Sequence, residues 1–351
     1  MELLLGIDAG TTSVKAALFT PNGECLAVER CEYTLHTPRA DRAELDPQIY
    51  WQASCDAIHQ IIHKTAIDPE KIKAISVSSQ GETTITLDRE GKPIYPALVW
   101  LDNRAVKEAE HLARLFANSV YDITGIPEII PTWSACKILW LRNNEPEIFS
   151  KAGKFLLVQD YLVYRLTAKY ATNASVACTS MLYDIVHDTW WQPMLQEINI
   201  TEQQLADILP AGAVVGNLSS EASLQLGLST NTIVIGGGMD QCAGAIGAGN
   251  IQPGYISETT GAALVIQATI PAPNLDKTKV IPVYSHSIPK HYLFAPVCPT
   301  AGMAYKWFRD TFGEPELKAA TEKNLDAYDL LNELAQAAPP GCEGLIMLPH
   351  L

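Results

Sequence analysis

The sequence lacks several features that would define whole classes of protein. Its 351 residues contain no run of eighteen apolar residues, and the short run 3–5 follows Glu2 without the basic start of a signal peptide. We therefore expect neither a membrane span nor a secretory leader. Lys and Arg number 25 against 39 Asp and Glu, a net charge of −14, and no basic cluster is present. Since such a chain repels a phosphate backbone, we expect no nucleic-acid partner.

Paired cysteines are also missing. The eight cysteines are scattered without a C-x-x-C pair. A chain of this length does not need disulfide bonds to stabilise its core, so we expect reduced thiols in a cytoplasmic protein.

Several common site motifs are absent as well. The G-x-x-x-x-G-K-[ST] phosphate loop does not occur, and the run beginning at Gly236 has Gln241 where G-x-G-x-x-G requires glycine. No serine lies in a G-x-S-x-G elbow. His59 and His63 have the spacing of helical metal ligands, but they share a polar helix face and have no glutamate between them, which favours a solvated face.

The composition predicts a folded chain of more than one domain. Hydrophobic residues make up 47% and charged residues 18%, which is enough apolar surface to offset the entropy of ordering. Because single cores stop growing near about 250–300 residues, the length predicts roughly two domains.

The first ninety residues predict a sheet and one helix. Residues 3–8 and 14–19 are apolar runs around a turn, and residues 24–34 form a third strand, which together predict an antiparallel meander. Asp46-Pro47 is typical of a helix start, and apolar residues follow at helical spacing. Residues 71–79 and 83–88 predict strands on either side of a polar loop.

Two later regions have distinct patterns. Residues 134–166 predict mostly helix. Residues 232–235 predict a strand that enters a loop of three glycines, 236–238, and then a helix of small residues over 242–249. We expect that helix to pack close to another backbone, because its small side chains permit a close approach.

The turn after the first strand carries groups that hold phosphate. It offers backbone N–H groups, three consecutive hydroxyls and the nearby Lys15. Asp8, at the end of the strand, is a candidate ligand for Mg²⁺, directly or through water. An ordinary hairpin turn explains so short a motif equally well, and both interpretations stay open at this point. The residues of the turn are Gly10, Thr11, Thr12 and Ser13.

Asp240 lies where a strand passes through glycines into a helix. A helix N-terminus favours the charged form of a carboxylate, and an ionised carboxylate can accept a hydroxyl proton. The alternative is a plain N-cap aspartate. The three glycines would let a ligand approach, which favours a site.

Taken in order, five segments resemble the FGGY carbohydrate kinases, the family of glycerol kinase and xylulokinase. Each segment alone is only weakly specific for the family, but together they occur in family order across nearly the whole chain. The segments are GIDAGTT (6–12), QGETT (80–84), VWLDNR (99–104), KILW (137–140) and GGMDQCAG (237–244).

The resemblance implies an α/β, actin-like or ribonuclease-H-like fold with two domains around a cleft. The first domain would cover 1–248, and the second, 249–351, would be incomplete. It implies a cytoplasmic enzyme that uses Mg²⁺ and ATP to phosphorylate a sugar or polyol, without nucleic-acid or membrane partners, and it allows a homodimer. We expect a loose phosphoryl transition state and closure that excludes water.

The resemblance also assigns residues. Asp240 would be the general base and, with Asp8, a metal ligand. The sugar would be bound by Gln80, Glu82, Trp100 and Asp240. The phosphates of ATP would be bound in the first domain by Gly10, Thr11, Thr12, Ser13 and Lys15, and in the second by Thr259, Thr260 and Gly261.

Three departures from the family pattern bear on function. Gly81 replaces the arginine of glycerol kinase and Ala263 the aromatic residue that packs on glycerol, so we expect a larger pocket and a ketose or larger polyol as substrate. The loop also lacks the Met-His-Gly of xylulokinases, so xylulose is not assigned either. The apolar ending 344–351 predicts a truncated chain without the adenine-binding segment.

Two alternatives follow. The chain could be a remnant that binds sugar without turning over ATP. An actin-like chaperone ATPase is the other, and it is disfavoured by Glu82, Trp100 and Asp240, which suit a small polar ligand.

Overall fold

The computed structural model describes residues 2–260, 264–298 and 300–348. The chain divides into two compact units, one of Met1–Tyr255 with Thr269–Phe294 and one of Ile256–Ala268 with Ala295–Leu351. The predicted family-domain division at residue 248 stays a prediction.

The secondary structure alternates strands and helices. The strands are β1 (Leu3–Ala9), β2 (Ser13–Phe19), β3 (Cys25–Glu32), β4 (Glu44–Leu45), β5 (Ile72–Ser79), β6 (Ile85–Leu87), β7 (Ala97–Leu98), β8 (Lys154–Leu156), β9 (Ala171–Thr172), β10 (Tyr183–Asp184), β11 (Thr189–Trp190), β12 (Asp207–Ile208), β13 (Val214–Asn217), β14 (Ile233–Met239), β15 (Ile256–Thr260), β16 (Leu264–Ile270), β17 (Val283–Ser285), β18 (Tyr292–Phe294) and β19 (Val297–Cys298).

The α-helices are α1 (Pro47–Thr65), α2 (Val106–Phe116), α3 (Val120–Thr124), α4 (Ser134–Asn144), α5 (Pro146–Lys151), α6 (Val158–Thr167), α7 (Ala174–Ala177), α8 (Gln192–Ile198), α9 (Ser220–Leu226), α10 (Asp240–Gly247), α11 (Gly302–Phe312), α12 (Glu314–Lys323) and α13 (Ala327–Gln336). The 3₁₀ helices are Pro69–Lys71, Cys178–Ser180, Glu202–Gln204 and Cys342–Gly344.

A six-stranded sheet organises the first unit, in the order β13-β14-β5-β1-β2-β3. The meander predicted for the start of the chain is confirmed, because β1 pairs antiparallel with β2, and β2 with β3. On its other side β1 pairs parallel with β5, which pairs parallel with β14. The carboxyl ends of three neighbouring strands therefore meet at one edge of the sheet.

Helix α1 begins as predicted. The Asp46 carboxylate accepts a hydrogen bond from the Gln48 amide at 2.9 Å, and Pro47 opens the first turn. Tyr50, Ile58 and Ile61 are buried and belong to the core that includes the sheet residues. Burying each such side chain stabilises the fold by about 1.5–3 kcal/mol, so packing fixes the helix more strongly than its cap does.

The glycine triplet differs from its prediction. Gly236–Gly238 lie inside β14, with a register shift against β5 between Ile235 and Gly238, so the strand passes into α10 without a loop. A Cβ built on Gly237 would lie 1.8 Å from the carbonyl oxygen of Val77 on β5. Glycine is needed there because two strands approach closely, which is a different reason from ligand access.

The expectation of close packing by the small residues of α10 is wrong at two positions. Cβ atoms built on Gly244 and Gly247 would meet no atom of the described residues within 4 Å, and both glycines are exposed.

The helical prediction for 134–166 is confirmed in outline, since α4, α5 and α6 lie there. The short strand β8 interrupts them and pairs antiparallel with β6. Helix α4 is part of a second apolar core in the first unit, where Ile138 and Leu141 are buried.

The second unit combines a small antiparallel sheet with three helices. β15 pairs with β16, and β16 with β19. α11 and α13 are joined by a tilted contact between the rings of Tyr305 and Tyr328, whose centroids lie 5.1 Å apart, and the Tyr305 hydroxyl donates to the Asn332 side chain at 2.8 Å.

Across the described residues, no helix is both long and apolar enough to cross a bilayer. All eight cysteines are free thiols.

Candidate active site

The candidate site is built at the sheet edge where β1, β5 and β14 end. Asp8 of β1 and Gly238 of β14 both pair with Ser78 of β5, one on each side. Two strand spacings of about 4.8 Å separate the outer strands. Asp240 follows β14 directly, and therefore lies at the same edge as Asp8 and the turn after it.

The Asp8 carboxylate is held by two neighbours. Its Oδ1 accepts a hydrogen bond from the Ser78 hydroxyl at 2.9 Å. Its Oδ2 lies 3.8 Å from the Lys15 ammonium, and both side chains are partly exposed. This carboxylate is thus fixed in position yet reachable by a ligand.

The turn after β1 leaves backbone donors available. The Gly10 amide donates to the Ser13 carbonyl at 3.0 Å, and the Gly10 carbonyl accepts from the Tyr33 hydroxyl at 2.6 Å. The amides of Thr11 and Thr12 have no hydrogen-bond partner among the described residues, so they can donate to an anion. Gly10 does not have a left-handed φ, and the turn does not require glycine on that ground.

The Gln80 side chain fixes this turn through hydrogen bonds. Its side chain is buried, and its amide donates to the Gly10 carbonyl at 3.1 Å and to the Tyr50 hydroxyl at 2.9 Å. Its Oε1 accepts from the Thr11 hydroxyl at 3.3 Å. The structure gives Gln80 a positioning role, and direct contact with a sugar stays a prediction.

Trp100 links the turn to the neighbouring loop. Its indole Nε1 donates to the Thr11 hydroxyl at 2.8 Å, and its backbone amide donates to the Thr83 hydroxyl at 3.1 Å. The residue is 38% exposed, and it lies beside the turn.

Glu82 has an unusual backbone. Its φ is +52°, and the Thr83 amide donates to the Gly81 carbonyl at 2.5 Å, which closes a three-residue turn around Glu82. Such turns are strained for residues other than glycine. Burial raises the pKa of the Glu82 carboxyl, Lys137 opposes this rise, and Asp240 adds to it. The carboxyl therefore lies within electrostatic reach of Asp240.

Gly81 lies against Thr179. A Cβ at this position would lie 2.8 Å from the side chain of Thr179. The missing side chain makes room for Thr179, and the expected enlargement of the substrate pocket stays a prediction.

Asp240 is the first residue of α10, and Met239 is the N-cap, so the plain N-cap alternative is excluded. The expected effect of the helix terminus does not dominate the ionisation of Asp240. Burial, with a further contribution from Asp8, raises its pKa to about 7, although the Gln241 amide donates to the carboxylate at 2.6 Å. At this site desolvation outweighs the helix terminus.

Two of the residues expected to bind phosphate belong to the second unit. Thr259 and Thr260 end β15 and are exposed, and the Thr260 hydroxyl donates to the Glu258 carboxylate at 2.7 Å. Gly261 and Ala263 lie outside the described residues. The phosphate turn of the second domain stays a prediction.

The carboxylates present suit magnesium better than a protein-only metal centre. Within the described ranges no three His, Cys, Asp or Glu residues group to hold a metal. Asp8 adds to the raised pKa of Asp240, so the two carboxyls lie within electrostatic reach of each other, and Lys15 is the cation beside Asp8. Since Mg²⁺ keeps several waters and binds one or two carboxylates together with substrate phosphates, two carboxylates fit its needs.

Sequence reasoning assigned no role to several residues that build this site. Ser78 orients Asp8, and Tyr33 and Tyr50 fix the turn and Gln80. Lys137 belongs to the KILW segment, and the sequence alone does not predict its contact with Glu82. Ser78 could have been found, because it lies next to the end of the strand predicted over 71–79, whereas the tyrosines depend on strand and helix packing.

Comparisons with known proteins agree on a family. Residues 3–247 match the N-terminal domain of the FGGY family of carbohydrate kinases. The chain is 33% identical over 350 residues to a gluconokinase from Bacillus subtilis, covering 99% of this chain and 67% of that protein. It is 30% identical over 352 residues to an autoinducer-2 kinase from Yersinia enterocolitica, covering 98% and 66%.

The chain also resembles a solved structure. The ligand-bound xylulose kinase from Lactobacillus acidophilus superposes with a TM-score of 0.89 at 29% identity, over 99% of this chain and 68% of that one. The chain therefore belongs to the FGGY family of carbohydrate kinases, which are phosphotransferases, and it has their α/β, actin-like fold. A kinase family implies ATP as co-substrate. The chain spans about two thirds of the length of these relatives.

Proposed function

We propose that this protein transfers the γ-phosphoryl group of ATP to a hydroxyl of a sugar or sugar derivative. One observation carries the proposal: Asp240 stands at the sheet edge that also holds Asp8 and the open amides of Thr11 and Thr12. A proton acceptor, a candidate metal ligand and phosphate donors thus share one place, which is the equipment of phosphoryl transfer.

Asp240 is the proposed general base. Its carboxylate would orient the sugar hydroxyl and accept its proton while the hydroxyl oxygen bonds to the γ-phosphorus and the bond to the β-phosphate oxygen breaks. The products are a sugar phosphate, ADP and one proton. A base with a pKa near 7 suits this task at neutral pH, because proton transfer is most efficient when the pKa lies near the working pH.

The turn 10–13 and Lys15 are the proposed phosphate contacts. The Thr11 and Thr12 amides would donate to phosphoryl oxygens, and Lys15 would add a positive charge. Asp8 and Asp240 would hold Mg²⁺, which when bound neutralises charge on the phosphoryl oxygens. Thr259, Thr260 and Gly261 are proposed for the second domain, as the family resemblance implies.

Glu82 and Trp100 are the proposed sugar contacts. Glu82 offers a carboxylate to sugar hydroxyls, and the Trp100 ring offers an apolar surface to carbons. The relatives are named for gluconate, autoinducer-2 and xylulose. We propose a polyhydroxy acid or ketose as the substrate, with gluconate and D-xylulose as the first compounds to test.

The test is an ATP-dependent phosphorylation assay of the 351-residue chain with gluconate, D-xylulose, larger polyols and glycerol. Phosphorylation of gluconate or a ketose, with magnesium dependence, is expected. Sugar binding without turnover would support the non-catalytic alternative, and selective use of glycerol would refute the proposed substrate class. Absence of both binding and turnover across the panel would refute the proposed function.

A further inference from the structure

Lys137 is buried where a charged side chain is costly. Its exposed fraction is 0%, and it lies on α4, which otherwise presents apolar residues to the second core. Burial lowers the pKa of Lys137 to about 7, and the nearby Glu82 and Asp102 carboxyls oppose this shift. Among the described residues, the one hydrogen bond that its Nζ donates goes to the backbone carbonyl of Glu82, at 3.1 Å.

That carbonyl receives a second donor from the same helix. The Ser134 hydroxyl, one turn before Lys137, donates to it at 3.0 Å. On the other side of the residue, the Glu82 amide donates to the Thr179 hydroxyl at 3.2 Å. Both backbone polar groups of Glu82 are therefore fixed by side chains from outside its own loop.

These contacts explain why the strained turn persists. A left-handed φ costs a residue with a side chain of order 1–3 kcal/mol unless its surroundings impose it. Thr179 also fills the space beside Gly81, at 2.8 Å from where a Cβ would lie, so the loop cannot relax toward Thr179. The carbonyl faces Lys137 and Ser134, while the carboxyl lies within reach of Asp240.

We propose that Lys137, assisted by Ser134 and Thr179, is a positioning residue that holds Glu82 in its strained conformation and so sets the affinity of the site for sugar. The inference rests on the proposed function, because it assigns the sugar contact to Glu82. Lys137 itself touches neither sugar nor nucleotide.

The first measurement is sugar affinity. The dissociation constants of gluconate, D-xylulose and magnesium-ATP are determined by titration calorimetry for the full chain and for Lys137→Met, Glu82→Gln and the double variant. Lys137→Met should weaken sugar binding about tenfold or more, which is the range for a hydrogen bond to a charged group, and leave the ATP constant within about twofold. The double variant should bind sugar about as well as the weaker single variant.

Lys154→Met is the matched control. Lys154 also donates to a backbone carbonyl, that of Leu205 at 2.6 Å, and packs over the Tyr170 ring. The Lys154→Met variant should have a lower melting temperature than the wild type and the same affinity for sugar. If Lys137→Met binds sugar as the wild type does, or if its effect multiplies with that of Glu82→Gln, the inference is overturned.

A second measurement does not depend on sugar. Hydrogen exchange of the Glu82 amide should accelerate at least tenfold in Lys137→Met and not in Lys154→Met, because the amide loses its fixed partner Thr179 when the turn relaxes. Unchanged exchange overturns the inference even if the protein binds sugar. Failure of the wild type to bind any sugar, with accelerated exchange in Lys137→Met, would refute the proposed function and retain the positioning of Glu82.

Discussion

The indole of Trp100 donates a hydrogen bond to the Thr11 hydroxyl across 2.8 Å. A residue proposed for the sugar side thereby contacts a residue proposed for the phosphate side. The same hydroxyl donates to Gln80, so the turn after β1 and the loop after β5 form one connected polar network.

The first prediction concerns this contact. Trp100→Phe keeps an aromatic ring and removes the donor, and Thr11→Val removes the acceptor. Each should weaken magnesium-ATP binding about 2- to 10-fold, since one hydrogen bond contributes about 0.5–1.5 kcal/mol. The double variant should be no weaker than the worse single variant, as measured by calorimetry. Trp51→Phe, which removes the donor to Gln225, should combine additively with Thr11→Val, and a coupling of equal size there would contradict the prediction.

The second prediction concerns the pH dependence of catalysis. Asp240 must be ionised to accept a proton, and its pKa is raised to about 7. kcat/KM should therefore rise about tenfold per pH unit below pH 7 and level off above it. Asp240→Asn should lower kcat by about 10²–10⁴-fold while sugar binding persists.

Asp8 provides the check on this assignment, because its charge contributes to the raised pKa of Asp240. Asp8→Asn should move the midpoint of the residual kcat/KM profile to lower pH. Asp207→Asn, which alters an exposed carboxyl, should leave the midpoint in place. A wild-type midpoint near pH 4 would show that burial does not control this base.

The third prediction separates the two glycines of the strand–helix junction. Gly237→Ala would push a Cβ into the Val77 carbonyl at 1.8 Å, and overpacking of this kind costs about 1–3 kcal/mol or more. Gly244→Ala meets open space in the described part of the chain and gains up to about 1 kcal/mol of helix propensity. Denaturant unfolding should show a loss for the first variant only, and equal effects would contradict the close approach of β14 to β5.

The fourth prediction concerns stability and pH. Asp160 is buried, and burial raises its pKa to about 7. The folded state disfavours the charged form, so this group's contribution to stability is lost as pH rises from about 4 to about 7. One carboxylate oxygen accepts from the Leu157 amide at 3.0 Å, and the Thr172 hydroxyl and the Gln159 side chain partly oppose the rise of the pKa that burial causes.

Asp160→Asn should therefore remove the pH-dependent loss and let an amide donate to Thr172. Its free energy of unfolding relative to wild type should increase between pH 5 and pH 8, with a gain of at least about 1 kcal/mol at the upper end. The stability of Asp207→Asn should change with pH as that of the wild type does over this range. A variant whose advantage shrinks with rising pH would reverse the assigned sign.

Much of the fold could be predicted because local sequence patterns specify it. The meander needed only alternating apolar runs and a turn, and α1 needed only Asp46 and Pro47 before a helical apolar pattern. The sequence predicts a loop at the glycine triplet whereas the structure has a strand there, because composition does not reveal that β14 lies against the β5 backbone.

The sequence by itself determined the family, the strand-forming runs and the residue types of the site, since motif order and apolar periodicity are properties of the chain alone. The tertiary structure decided how those residues behave. Burial beside Asp8 raised the pKa of Asp240 against the expected effect of its helix, and the packing of α4 and Thr179 around Glu82 fixed a strained turn. Desolvation and contacts between distant segments depend on which atoms surround a group, and that is set only when the strands and helices pack together.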